Sequence, residues 1–78
     1  MDEQIRITIR LIGAFRINRF KEREAYYPPG IRVDAIVDEL QIPPRALGTV
    51  LINGLHAKAT DQPKDGDIVA LLPILGGG

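Results

Sequence analysis

The chain has 78 residues, 45% of them hydrophobic, with ten acidic and ten basic side chains and no formal net charge. That length fits one domain, which buries around 60% of its unfolded-chain surface but is too small to enclose a deep active site of its own. A zero net charge argues against a dedicated nucleic-acid or membrane binder, and the absence of cysteine rules out disulfides, iron–sulfur ligation and thiol catalysis. No apolar run approaches the ~20 residues of a membrane span, and Met1-Asp2-Glu3-Gln4 does not open like a signal peptide, so the expectation is a cytoplasmic chain.

Ile5, Ile7, Ile9 and Leu11 alternate with Arg6, Thr8 and Arg10, which predicts a strand with four aliphatic side chains on one face. Gly13 and Ala14 offer a turn. Phe15 to Arg23 is basic with scattered aromatics and reads as a loop or irregular hairpin arm. Its Arg16, Arg19, Lys21 and Arg23 are the one local charge excess; a solvated loop whose aromatics anchor in the core is the plain reading, a protein or phosphate contact with Phe15, Phe20, Tyr26 and Tyr27 the sharper one. A second strand over Glu24 to Tyr27 ends before Pro28-Pro29, which cannot donate to a ladder.

Val33, Ile36, Val37 and Leu40 fall at helical spacing, with Asp34, Asp38 and Glu39 off the stripe, predicting a helix from Arg32 to Gln41 stopped by Pro43-Pro44. Val50-Leu51-Ile52 and Leu55-His56-Ala57 flank Asn53-Gly54, the dipeptide of a type I′ hairpin turn. Asp65-Gly66-Asp67 is another turn, followed by Ile68 to Leu72, an apolar run of the kind covered on both faces, which Pro73 ends. Asp61, Asp65 and Asp67 lack a calcium-loop pattern and suit turns, and His56, the sole histidine, reads as a surface imidazole. The predicted class is α+β: a mixed sheet of four to five strands with one main helix on one face, the first and last strands central and parallel, in β-grasp order.

Gly76, Gly77 and Gly78 follow directly on the last strand. A segment without side chains can enter a tunnel that larger residues would block. A terminal carboxylate is ionised at neutral pH and is a poor electrophile, so chemistry at Gly78 would need activation, such as nucleotidyl transfer from ATP. The plain alternative is a frayed end or an expression remnant.

The stretch Gly66-Asp67-Ile68-Val69-Ala70-Leu71-Leu72-Pro73-Ile74-Leu75-Gly76-Gly77-Gly78, together with Ile52-Asn53-Gly54 and the order of elements, resembles the MoaD/ThiS family of ubiquitin-like sulfur carriers of molybdopterin and thiamine biosynthesis. The resemblance implies a ubiquitin-like β-grasp domain over residues 1–78 with 73–78 a flexible C-terminal tail. It implies a carrier and no enzyme in its own right. An E1-like, ATP-using enzyme would adenylate Gly78, a sulfur donor protein would convert it to a thiocarboxylate, and an acceptor synthase subunit would receive the sulfur. Pro73, Ile74, Leu75, Gly76 and Gly77 would thread the partner's channel. No bound cofactor, no metal, no nucleic acid and no membrane are implied. Ile74 stands where many molybdopterin-type members have a second proline, and Gly76 where a small non-glycine residue is common. Rival readings are a protein modifier joined through Gly78 to a target lysine, in which case the surface lysines Lys58 and Lys64 could themselves receive a conjugate, and a plain β-grasp interaction module.

A magnitude bears on the carrier reading. Ordering six residues from Pro73 to Gly78 costs roughly 1 to 2 kcal/mol each, whereas burying Ile74 and Leu75 returns about 1.5 to 3 kcal/mol each. Docking is therefore expected to use the globular surface too, with Arg6, Thr8 and Arg10 as candidates for a polar part of an exposed sheet face.

Overall fold

A computed structural model describes residues 3–75. Five strands and one helix follow the chain: β1 (Ile5–Leu11), β2 (Glu22–Tyr27), α1 (Val33–Glu39), β3 (Leu47–Ile52), β4 (Leu55–Ala57) and β5 (Ile68–Pro73), with 3₁₀ turns at Gly13–Arg16 and Pro44–Ala46. The sheet order is β2-β1-β5-β3-β4. β1 and β5 are central and parallel, in register Ile9↔Val69 and Leu11↔Leu71, and the other pairs are antiparallel. The expected β-grasp order, with a helical crossover between two parallel central strands, is thus present.

The period-two pattern of β1 places Ile7, Ile9 and Leu11 in the core, where Val69 and Leu71 of β5 meet them in register. Val33, Ile36 and Val37 of α1 close the core from above, with Phe15, Tyr27, Ile42 and Val50 at its margins. Nine of these side chains are essentially inaccessible, so each aliphatic one contributes about 1.5 to 3 kcal/mol of transfer free energy.

The helix is shorter than its hydrophobic stripe predicts. Arg32 is extended (φ −96°, ψ 153°), and its successors' amides turn outward: Val33 N–H donates to Asp61 O (3.0 Å) and Asp34 N–H to Ala59 O (2.8 Å). At the other end Gln41 takes φ +59°, which stops the helix before the prolines do. Arg19 satisfies the freed carbonyls, donating from Nε to Leu40 O (3.2 Å) and from Nη2 to Gln41 O (3.3 Å). Part of the basic segment is therefore structural, and so is Arg16, whose Nε donates to Leu11 O (2.7 Å). Arg23 lies 4.1 Å from the centroid of the Phe20 ring. Phe15 and Tyr27 are buried, which removes them as stacking groups for a nucleic acid.

Three further expectations are corrected. β2 begins at Glu22 and β3 at Leu47, earlier than the apolar residues suggest, because pairing to a formed neighbour needs backbone groups more than apolar side chains. β5 is covered on one face only: Val69 and Leu71 are buried, whereas Ile68, Ala70 and Leu72 are half-buried on the side away from α1. The apolar run therefore marks a half-open face. The Asn53-Gly54 turn has φ +53° and +82° as expected, and Asn53 adds a tie that its dipeptide alone does not reveal. Its Oδ1 accepts Ile68 N–H (2.9 Å), its Nδ2 donates to Asp67 Oδ1 (2.9 Å), and its own N–H donates to Ile68 O (2.8 Å).

Tyr27 couples the edge strand to the helix by donating its hydroxyl to Glu39 Oε1 (2.7 Å). Burial pushes the phenol pKa above its ordinary 10.0, and the hydrogen bond to the Glu39 carboxylate adds to the effect. The unfolded chain therefore ionises Tyr27 first as pH rises, so the stability due to this tyrosine is complete below pH 10 and declines above it. Tyr27→Phe should cost about 0.5–1.5 kcal/mol near neutrality. In urea unfolding, the gap between wild type and variant should shrink at pH values above 10; a gap that stays constant would show that the native phenol ionises as freely as the unfolded one.

Candidate functional site

The candidate site is the place where the chain leaves the sheet. β5 lies between β1 and β3, so its C-terminal end is held from both sides. Leu71 carbonyl accepts Ile12 N–H (3.1 Å) from the β1 side, and Pro73 is paired with Leu47 on the β3 side. A proline is tolerated here because it is the last strand residue. A Cβ placed on Gly13 would lie 3.6 Å from Pro73 Cγ, so the turn after β1 is in contact range of the proline ring.

Pro73 was expected to open the tail, yet it is the last residue of β5, and fixation extends one residue beyond it. Ile74 N–H donates to Ala46 O at 3.0 Å. Its side chain is exposed, at 53%, and Leu75 is 89% exposed. The structure thus carries the chain in the sheet to Pro73, pins the backbone once more at Ile74, and then leaves the side chains facing solvent. Gly76, Gly77 and Gly78, including the reacting residue expected from the resemblance, lie outside the described residues.

The floor of this exit is an irregularity in β3. Leu47 faces Pro73 and Thr49 faces Leu72, so one extra β3 residue, Gly48, is inserted opposite the Leu72–Pro73 step. A Cβ on Gly48 would come within 2.9 Å of Ile74 N, Ile74 Cα and Pro73 O. Its φ is not in the left-handed region, so the demand for glycine here is one of space. Gly48, Thr49, Leu72, Pro73, Ile74 and Leu75 line an open groove of about 350 Å³. Reading the strand from Val50 onward missed Gly48. The signal was present, since an isolated glycine beside strand residues marks a bulge or a close backbone approach.

Beside this exit lies the sheet face that α1 does not cover. In register across it run Glu22, Glu24 and Tyr26 of β2, Arg6, Thr8 and Arg10 of β1, Ile68, Ala70 and Leu72 of β5, Thr49 and Leu51 of β3, and His56 of β4. Its centre is apolar and half-buried, and its charged rim is on the β2 side. Arg6, Thr8 and Arg10 therefore do share the open face, as expected. Arg10 is engaged there by Glu22 (Nε to Oε1, 2.8 Å) in an exposed pair worth little in stability.

The three aspartates singled out from the sequence accept backbone amides. Asp61 takes Lys58 N–H (2.9 Å), Asp65 takes Arg6 N–H (2.8 Å), and Asp67 takes Lys64 N–H (2.8 Å). His56 is exposed. Among the described residues, no helix is long and apolar enough to cross a membrane.

Comparison with solved structures agrees with this architecture. The HVO 2177 protein of Haloferax volcanii superposes with a TM-score of 0.78 at 19% identity, over 96% of this chain and 88% of that one. A Pyrococcus furiosus protein given as molybdopterin converting factor, subunit 1 superposes with a TM-score of 0.74 at 21% identity, over 91% and 99%. Small archaeal modifier protein 1 of Haloferax volcanii does so with a TM-score of 0.72 at 20% identity, over 91% and 99%. No curated protein sequence matches the chain. The sequence model of the ThiS family matches residues 9–78, nearly the whole chain. With its ubiquitin-like β-grasp and its terminal strand running out beside Gly48, the chain belongs to the ThiS family.

Proposed function

We propose that this protein is a sulfur carrier: the Gly78 carboxylate is adenylated by an ATP-dependent activating enzyme and converted to a thiocarboxylate that donates sulfur in the biosynthesis of molybdopterin or thiamine. The observation that carries the reading is the exit geometry combined with family membership. A central strand delivers the backbone to Ile74, after which Leu75 is almost fully exposed and only glycines follow in the sequence.

The chemistry balances without a catalytic group from this chain. A carboxylate oxygen attacks the α-phosphorus of ATP, and pyrophosphate leaves. A sulfide-level sulfur, delivered by a donor protein, attacks the acyl carbon, and AMP leaves with the C–O bond electrons. The first step converts a poor leaving group into a good one, and the second displaces it, at a carbon whose residue has no side chain. The carrier contributes presentation: a slim terminus at a fixed place relative to a docking face. With the backbone pinned as far as Ile74, the ordering cost on docking falls on residues 75–78, about 4 to 8 kcal/mol in place of the larger cost of ordering a tail that starts at Pro73. The half-open face centred on Ile68, Ala70 and Leu72 supplies the remaining affinity. A protein named subunit 1 of a converting factor shares the fold, which supports a further synthase subunit as the sulfur acceptor.

The second reading, a protein modifier joined to lysine through the same activated carbonyl, is favoured by the likeness to small archaeal modifier protein 1. It differs only in the nucleophile, an amine in place of sulfide.

Two experiments test these readings. Intact-mass measurement of protein isolated from its own host should show a population heavier by the replacement of one oxygen by sulfur, localised to the Gly78 fragment. Lysine-linked adducts that survive reductant, without any thiocarboxylate, would instead select the modifier. Separately, deleting Gly78 or adding one residue after it should abolish thiolation by the host's enzymes while leaving the unfolding temperature unchanged; sulfur transfer preserved in either variant overturns the carrier reading.

A further inference from the structure

We infer that Gly48 is a positioning residue for the reaction at the chain's end: its missing side chain lets the backbone leave β5 flush against β3, and this fixes the direction in which the reacting residue is presented to an activating enzyme. The inference rests on the proposed carrier function and adds to it a residue thirty positions away in sequence.

Three observations carry it. The atoms that a Cβ on Gly48 would meet at 2.9 Å are backbone atoms of Pro73 and Ile74, which have no rotamer by which to step aside. Relief therefore requires the 73–74 link to swing away from β3. The contact lies at the last fixed point of the chain, where Ile74 N–H is held by Ala46 O. A swing there breaks that bond and is passed on to everything downstream. Finally, Gly48 occupies the bulge between Leu47 and Thr49, so the irregularity and the missing side chain serve the same approach. Gly48 needs no positive φ, which separates it from Gly30, Gly54 and Gly66, where a Cβ would meet nothing and the backbone conformation alone asks for glycine.

Up to four residues beyond Ile74 span at most about 14 Å when extended. Over that reach a change of direction at the root displaces the carboxylate by several ångströms, and a misplacement of only about 1 Å costs on the order of 100-fold in rate. Gly48→Ala should therefore dock normally and react badly.

The test is ATP–pyrophosphate exchange catalysed by the host's activating enzyme, with full-length wild type, Gly48→Ala and Gly30→Ala. Gly30 lies in the turn after β2, beyond the Tyr27–Ile5 end of the sheet and so opposite the exit, which makes its variant a control for general loss of stability. Gly48→Ala should lower kcat at least tenfold with KM changed less than threefold, while Gly30→Ala leaves kcat within twofold. Equal kcat for wild type and a folded Gly48→Ala overturns the inference, as does a loss in which KM alone rises. If Gly48→Ala does not fold, amide exchange of the wild type decides. The Ile74 amide should be protected like those of β5 and the Leu75 amide should exchange freely; an Ile74 amide as fast as that of Leu75 removes the fixed root and overturns the inference. A wild type that supports no exchange, with Ile74 protected, would instead sink the carrier function and leave the geometry standing.

Discussion

The parallel pairing of β1 with β5 is the constraint on which the rest of the molecule depends. Two strands distant in sequence are joined through Ile9↔Val69 and Leu11↔Leu71, with all four side chains in the core. Parallel neighbours require a crossover, and α1 supplies it while covering one side of the pair. Every other strand is an addition to this unit: β2 on the β1 edge, β3 and β4 on the β5 edge. Because β5 is central, the end of the chain emerges between two neighbours and not from a free edge. A segment leaving an edge would be held by one ladder only; here Ile12 and Leu47 restrain it from both sides until Ile74.

The same arrangement divides the sheet into two faces with different tasks. The face under α1 is filled by branched aliphatics that carry the stability. The other keeps Ile68, Ala70 and Leu72 half-accessible, beside Thr8, Thr49 and Leu51, with charged residues on the β2 edge. The hairpin turn and the turns before β5 are tied to the sheet by Asn53, Asp65 and Asp67 through short polar contacts, so this end of the molecule is held without burying polar side chains. None of these stabilising interactions involves a residue after Ile74.

Much of this was legible in the sequence. The alternation in β1, the stripe of α1 and the Asn53-Gly54 turn each express a local rule, and each holds. What failed to show were features decided by contact between distant segments. The helix ends early because Gln41 takes a positive φ, with Arg19 holding the carbonyls of Leu40 and Gln41, while the turn at 58–61 caps its first amides. The apolar run of β5 looked doubly covered, since composition does not distinguish a buried second face from one kept apolar but open. Pro73 does end β5, but from within the strand and not as the start of the tail, since a proline can close a strand whose neighbours need nothing from its amide. Gly48 was the least legible of all, because its neighbours in space, Pro73 and Ile74, lie far downstream in a ladder whose register contains a bulge.

Gly48 also shows why the exit and the fold cannot be designed apart. Filling the space above Gly48 would favour β3 as a strand, since alanine lacks glycine's entropic cost in an extended chain. It would also push the 73–74 link outward by its contacts at 2.9 Å. The local preference of β3 and the path of the terminal segment therefore oppose each other at one position, and the chain keeps the residue that favours the path. A conflict of this kind, in which local stability is given up at a point of close backbone approach, is expected where geometry serves function. It puts the direction in which the chain leaves the sheet under the control of the short stretch of β3 around Gly48.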